Sequence, residues 1–215
     1  IYSRMPERNL IDILCNNEHW LNFTRHFGPL SGSDPKLSDP KTSYILANFT
    51  FGCNIGPTQM ARHLKNKNIS SHTISYANTK HITSEKLDLA NTDIINNYNH
   101  FQLPKLWGNG NRAAADGTKI DIYEQNLLAE YHIRYGGYGG IAYHHVADSY
   151  IALFSHFIPC GVWEAVYIID GLLKNQSDIQ PKIVHGDTQS QSTPVFALAY
   201  FLGIDLMPRI RNWKD

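Results

Sequence analysis

Two aspartates in the C-terminal half of the chain have a setting that suits metal chemistry. Asp116 lies in the strand-like run 112–123 and is followed by Gly117, which lets a ligand come close to the backbone. Asp187 directly follows the mainly apolar run 183–186. A carboxylate at the end of such a strand has no role in the hydrophobic core. If the two strands are neighbours, about 4.8 Å apart, these carboxylates lie side by side. They then repel each other unless a cation lies between them.

A Mg²⁺ ion relieves such repulsion, because it is bound by one or two carboxylates together with water and phosphate oxygens. Two such ions, about 3.5–4 Å apart, stabilise both the attacking and the leaving oxygen of phosphodiester chemistry. The pair therefore predicts a nuclease or a polynucleotidyl transferase. From spacing alone, the alternative stays open that Asp116 belongs to an ordinary turn and Asp187 is a helix cap.

The elements that must position this pair alternate between strands and helices. Over residues 106–215, three strand-like runs are followed by a helix at 162–173 and then by a strand, a helix and a strand. This order, β-β-β-α-β-α-β, predicts a mixed sheet whose later strands run parallel to the first strand. Residues 1–105 have mainly helical periodicity, so the predicted fold class is mixed α and β.

Composition narrows the possible classes. The chain has 215 residues, of which 42% are hydrophobic and 18% charged, as in globular proteins with a core. No apolar run reaches the roughly 18 residues of a membrane span, and no GxxxxGK motif indicates a nucleotide cofactor. Lys and Arg (19) balance Asp and Glu (19), so net charge alone predicts no nucleic-acid partner. Three cysteines without a CxxC pair predict a reducing, cytoplasmic setting.

Eleven histidines raise the alternative of a zinc site. Neighbouring residues on a strand point to opposite faces, so His144 and His145 cannot share a metal there. The short Cys and His spacings of structural zinc sites are also missing. We therefore expect ordinary hydrogen-bonded histidines.

Four blocks, in order, resemble the catalytic region of Tn-three family transposases, the large DDE enzymes of replicative bacterial transposons. The blocks are LWGNGNRAAADGTK (106–119), YGGYGGIAYHHVADSYIALFSHFIP (135–159), VHGDTQSQS (184–192) and LGIDLMPRIRNWKD (202–215). A weaker block is ILANFTFGCNIGPTQMARHL (45–64).

The resemblance implies an RNase H-like fold in which Asp116 and Asp187 are the first two catalytic, metal-binding acids of the DDE triad. It implies that residues 1–105 form a helical linker region and that residues 106–215 form the first part of the catalytic domain. The α/β domain is therefore expected to be truncated.

The third acid of the family is a Glu on a later helix, expected beyond the end of this chain. Glu124, Glu130 and Glu164 all precede the second Asp. None of them can therefore be the third acid, which follows the second Asp in the family order. The chain is thus expected to be a fragment that is inactive, or nearly so, by itself. Mg²⁺ or Mn²⁺ is the implied cofactor, and a two-metal site is expected only when the third acid is present.

The implied activity is DNA transposition by metal-assisted phosphoryl transfer. A nick at each transposon end frees a 3′-OH, which then attacks a phosphodiester of target DNA. The implied partners are transposon-end DNA, target DNA and further copies of the full-length protein. The implied setting is the bacterial cytoplasm, at the nucleoid, without a membrane or a nucleotide cofactor.

Four residues are candidate DNA-binding contacts. Arg134 and Tyr138 lie beside and within the glycine run 136–140. We interpret this run as a loop before a strand, and the alternative stays open that it lets the backbone approach a DNA phosphate. Arg209 and Arg211 follow the last strand. Residues 106–215 contain 8 Lys and Arg but 11 Asp and Glu, so two arginines close to the site are candidate contacts for DNA phosphates. Simple surface charge is the open alternative for both arginines.

The sequence departs from the family pattern just before each aspartate. Alanines occupy 113–115 where serines often stand, and His185-Gly186 precedes Asp187. Two rival functions stay open. One is an inactive remnant that binds DNA or full-length transposase, and the other is a different RNase H-like nuclease that hydrolyses DNA without strand transfer.

Overall fold

Packing divides the chain into two units, Ile1–Ile94 and Ile95–Asp215. The computed structural model describes residue 4 and residues 6–64, 68–133 and 136–211. Each unit has its own buried core.

The first unit is helical, as predicted from its periodicity. Its elements are α1 (Leu10–Leu21), a 3-10 turn (Phe23–His26), α2 (Pro40–Gly52), α3 (Pro57–His63), α4 (Ser71–His81) and α5 (Ser84–Tyr98), which continues into the second unit. Helix α4 was not predicted, because its sequence is mostly polar. Its buried face is limited to Ile74, Ala77 and His81, which are one helical turn apart.

Local side chains fix where these helices begin. The Asp39 carboxylate accepts a hydrogen bond from the Thr42 amide at 3.3 Å, and Pro40 occupies the first turn of α2. The Ser70 hydroxyl accepts a bond from the Thr73 amide at 3.1 Å and so caps α4. These caps satisfy amides that have no partner inside the helix.

The second unit contains a mixed six-stranded sheet. Its strands are β1 (Arg112–Asp121), β2 (Glu130–His132), β3 (Gly137–Ala147), β4 (Ala152–Pro159), β5 (Ile183–Gly186) and β6 (Asp205–Pro208). Strand β3 pairs antiparallel with β1, β2 and β4, whereas β1–β5 and β5–β6 are parallel pairs. Without the short β2, the spatial order is β4-β3-β1-β5-β6. The predicted mixed sheet is confirmed, with β5 and β6 parallel to β1, and the short β2 is a strand that was not predicted.

The glycine run 136–140 differs from its predicted loop, because β3 already begins at Gly137. A Cβ at Gly139 would lie 2.6 Å from the Ile120 carbonyl oxygen, and one at Gly140 would lie 2.6 Å from Phe157 Cε1. These two glycines are therefore packed strand positions where neighbouring atoms leave no space for a side chain.

Helices α6 (Ala165–Lys174) and α7 (Thr193–Phe201) supply the apolar cover of this sheet. Fully or nearly fully buried members of the shared core are Ile141, Tyr143, Ile158, Ile168, Ile169, Val184 and Ala199. Burying each large aliphatic side chain contributes about 1.5–3 kcal/mol. This core covers one face of the sheet and leaves Asp116 and His144 on the other.

In the part of the chain that the structure describes, no helix is long and apolar enough to cross a membrane.

A buried histidine joins the sheet to α6. His145 is fully buried and donates from Nε2 to the Ile168 carbonyl oxygen at 2.9 Å. Gly171 leaves room for the ring, since a Cβ there would lie 2.6 Å from Nδ1. Burial disfavours the charged imidazole and lowers the pKa of His145 from 6.5 to about 4.

This histidine predicts acid sensitivity. Between about pH 6.5 and 4 the unfolded chain binds a proton that the folded chain does not, so stability falls as the pH falls. At pH 5 we expect His145 to lower the free energy of unfolding by about 2 kcal/mol relative to pH 7. Urea unfolding at both pH values should show a smaller difference for His145→Asn. An equal difference in the variant and the wild type would contradict this assignment.

Candidate active site

Asp116 lies on the open face of β1. Residues along this strand alternate in burial, with Ala113 and Ala115 facing the core and Asp116 exposed between such positions. Its Oδ1 accepts a hydrogen bond from the Gly117 amide at 2.8 Å. Asp116 pairs with His144 of β3, so both side chains are on this open face.

Asp187 follows β5 directly. In the parallel pairing of β1 with β5, Ala113 is level with Val184 and Ala114 is level with His185. Two residues further along each strand are Asp116 and Asp187. Continued over those two residues, this register would bring Asp116, on β1, and Asp187, just after the end of β5, to the same level and the same face of the sheet.

Asp187 also starts the 3-10 turn Thr188–Ser190. Its Oδ1 accepts hydrogen bonds from the Gln189 amide at 3.0 Å and from Ser190 Oγ at 3.4 Å. The capping alternative raised from the sequence thus describes a real contact. These bonds orient the carboxylate through one oxygen, while Oδ2 accepts no bond within the described ranges.

Tyr143 lies beneath the aspartates and was not predicted as a site residue. It is 2% exposed, and it is level with Gly117 on the core side of the sheet. Burial raises its pKa above the ordinary value of 10, and the charges of Asp187, Glu164 and Asp116 add to that increase. The phenol is therefore neutral.

Glu164 brings a third carboxylate to the core side of β1. A Cβ at Gly117 would lie 2.5 Å from Glu164 Oε2, 2.6 Å from Ile141 Cγ2 and 3.1 Å from Tyr143 Cδ2. Gly117 is thus the position over which Glu164 packs. Strand alternation in β3 could have identified Tyr143 as core-facing, but no local signal brings Glu164 close to Asp116.

Part of the ligand set of a divalent cation is present among these residues. Asp116 and Asp187 provide two hard oxygen donors at one level, which suits part of a Mg²⁺ site. Across the described ranges, no group of three or more His, Cys, Asp or Glu side chains is placed to hold a metal ion. The pair therefore fits as a partial ligand set.

Both C-terminal arginines come to the edge where Asp187 lies. The Arg209 amide donates to the Gly186 carbonyl at 3.0 Å. The Arg211 guanidinium donates from Nη2 to Thr188 Oγ1 at 3.5 Å, and its amide donates to Gln191 Oε1 at 3.2 Å. The Arg211 guanidinium therefore lies beside the turn that begins at Asp187, whereas the contact of the exposed Arg209 is made by its backbone.

The other two candidate DNA contacts differ from this pair. Tyr138 is 38% exposed and stacks edge-on against Tyr131, with 5.5 Å between ring centroids. It is six residues along β3 from His144, or about 20 Å, and so lies far from the aspartates. Arg134 lies outside the described residues.

Residues 12–215 match the family described as Tn3 transposase DDE domain, and the chain belongs to this family. DDE transposase domains generally depend on a divalent metal.

Three curated relatives show the extent of the similarity. The transposase for transposon Tn2501 of Escherichia coli is 28% identical over 100% of this chain and 21% of its own length. The corresponding identity is 24% for the transposase for Tn1546 of Enterococcus faecium, over 100% of this chain and 22% of the relative. The identity is 26% for the transposase for transposon gamma-delta of Escherichia coli (strain K12), over 99% of this chain and 21% of the relative. The chain therefore spans about a fifth of the length of these relatives.

A solved structure, the Mos1 transposase paired-end complex with left transposon end, is also similar. It has 12% identity and a TM-score of 0.33 over 96% of this chain and 70% of that chain.

The packing of Glu164 over Gly117 predicts the effect of a single methyl group. Gly117→Ala places a Cβ against Glu164 and Ile141, and we expect it to lower the free energy of unfolding by about 1–3 kcal/mol. Gly137→Ala is the matched control, since its Cβ would meet only Lys119 Nζ at 3.9 Å. Urea unfolding followed by circular dichroism measures both. A Gly117→Ala variant as stable as Gly137→Ala would contradict the packing.

Proposed function

We propose that this chain is the first part of the catalytic domain of a Tn-three family transposase, which cleaves transposon-end DNA and joins it to target DNA. In this proposal residues 1–105 are a helical linker region and residues 106–215 begin the RNase H-like domain. Asp116 and Asp187 are its first two catalytic acids. Self-association of the full-length protein stays an expectation.

The register of β1 against β5 is the observation that carries this proposal. Two aspartates 71 positions apart in sequence reach the same level of the sheet because Ala114 is level with His185. A surface turn residue and an unrelated helix cap have no reason to coincide in this way. Family membership supports the same assignment.

Asp116 and Asp187 would hold the divalent metal, Mg²⁺ or Mn²⁺, in the proposed site. When bound, such a metal stabilises the charge that develops on the oxygens of the reacting phosphodiester. Asp187 is already oriented by the Gln189 amide, so little conformational freedom is lost when its carboxylate binds a cation.

The arginines supply the complementary charge for DNA. Arg211 is held near the Asp187 turn through Thr188, and Arg209 is exposed beside it. We propose that they bind DNA phosphates and hold the strand next to the carboxylate pair. Arg134 and Tyr138 stay proposals as DNA contacts, with Tyr138 farther along the strand.

Two carboxylates supply only part of the ligand set of a DDE site. We therefore propose that the isolated 215-residue chain cleaves DNA poorly or not at all. The proposed reaction requires the third acid, so its test uses the complete transposase that contains this sequence.

Asp116→Asn and Asp187→Asn should each abolish strand cleavage in that complete protein. Each change removes a charged metal ligand while keeping its shape, and we expect at least about a 100-fold loss, because even outer-shell partners of metal ligands cost 10–100-fold. Asp121→Asn is the matched control, since Asp121 ends the same strand and pairs with Lys119 at 2.6 Å. The measurement is nicking of a labelled transposon-end duplex in Mg²⁺ and in Mn²⁺.

The control separates a catalytic role from a general effect of lost charge. Cleavage should persist in Asp121→Asn. Wild-type cleavage in either of the other two variants would overturn the assignment of that residue. Equal losses in all three would point to an electrostatic or folding effect and would also overturn it.

A further inference from the structure

A cavity of about 360 Å³ opens on the first unit, away from the aspartates in sequence. It lies between the segment 22–29, the loop residues Lys36 and Leu37, and the start of α2, with His81 at its base. A volume of this size is in the range of small-ligand sites in proteins.

Aromatic rings form the base of this cavity. The Phe27 and Tyr44 rings meet edge-on with 5.6 Å between centroids, and Tyr44 Oη hydrogen-bonds His81 Nδ1 at 2.7 Å. Burial lowers the pKa of His81, so this ring is neutral. Pro29 and Leu37 add apolar surface. The base thus suits a flat ring without charge.

The mouth of the cavity is cationic. Arg25, Lys36 and Lys41 line it, and no Asp or Glu is among its lining residues. Lys41 is held by Glu18 at 2.9 Å and Arg25 by Asp93 at 2.5 Å. Lys36 is exposed and forms no ion pair with any residue that the structure describes, so its charge is available to a ligand.

We propose that this cavity binds one nucleotide of a DNA strand, with the base against Phe27 and Tyr44 and a phosphate at Lys36. A flat ring joined to an anionic group is the ligand that an aromatic base and a cationic rim recognise together. Base stacking on aromatic side chains tolerates any sequence, and it requires a nucleotide that has left the duplex stack. The inference rests on the proposed function, which makes DNA the substrate.

Photo-crosslinking tests the contact directly. A short single-stranded oligonucleotide with one 5-iodouracil is irradiated with the 215-residue chain, and the crosslinked peptide is identified by mass spectrometry. We expect the crosslink within the segments that contain Phe27, Tyr44 or His81. A crosslink confined to other segments would overturn the proposal.

A pair of charge reversals tests the role of the mouth. Lys36→Glu should weaken oligonucleotide binding about tenfold and remove the crosslink, since it reverses a phosphate contact. Lys80→Glu is the matched control, because Lys80 is exposed in the same unit but does not line the cavity, and its loss should stay below about twofold. Equal losses would indicate general attraction of DNA to a basic surface and would overturn the site.

Two further outcomes separate this inference from its alternatives. Binding of free thymidine monophosphate as tight as binding of the oligonucleotide would assign the cavity to a free nucleotide and overturn the DNA strand as its source. Because the Asp116→Asn cleavage assay does not involve the cavity, wild-type cleavage by that variant with a retained crosslink would overturn the catalytic proposal alone. If the wild-type protein forms no crosslink at the cavity while the complete transposase cleaves DNA normally, this inference alone would be overturned.

Discussion

The parallel pairing of β1 with β5 is the constraint on which the candidate site depends. Pairing in a sheet has a side-chain period of two, so a slip of one residue would turn one aspartate toward the core. Val184 is fully buried and is level with the buried Ala113, so such a slip would also expose apolar side chains. The energy of the core therefore maintains the alignment of Asp116 with Asp187.

Gathering carboxylates on two sides of one strand has an electrostatic cost. Asp116 and Asp187 lie on the open face, and Glu164 packs over Gly117 on the core side. Burial, together with the charges of these three carboxylates, raises the pKa of Tyr143 and keeps its phenol neutral. A cation on the open face would relieve the repulsion between the aspartates, which gives the arrangement a physical reason to bind metal. The same negative charge favours a cation such as the Arg211 guanidinium next to the Asp187 turn.

Much of the fold could be predicted because its strands and helices carry clear periodic patterns. Strands β1, β3 and β4, helix α6 and the two later parallel strands agree with the predicted order, whereas the three-residue β2 was not predicted. Helix α4 was missed because only Ile74, Ala77 and His81 carry its apolar face. The glycine run was assigned to a loop because the Phe157 ring that covers Gly140 is distant in sequence. For the same reason, the approach of Glu164 to the site had no signal in the sequence.

The binding of Mn²⁺ to the chain tests the central claim most directly, because this paramagnetic ion broadens the NMR signals of nearby amides. If the aligned carboxylates bind a divalent cation, Mn²⁺ should broaden the amides of Asp116, Gly117 and 187–190 first, and excess Mg²⁺ should restore them. A double Asp116→Asn and Asp187→Asn variant should lose this selective broadening. Broadening that spreads evenly over acidic residues such as Asp178, or that persists in the double variant, would contradict the account.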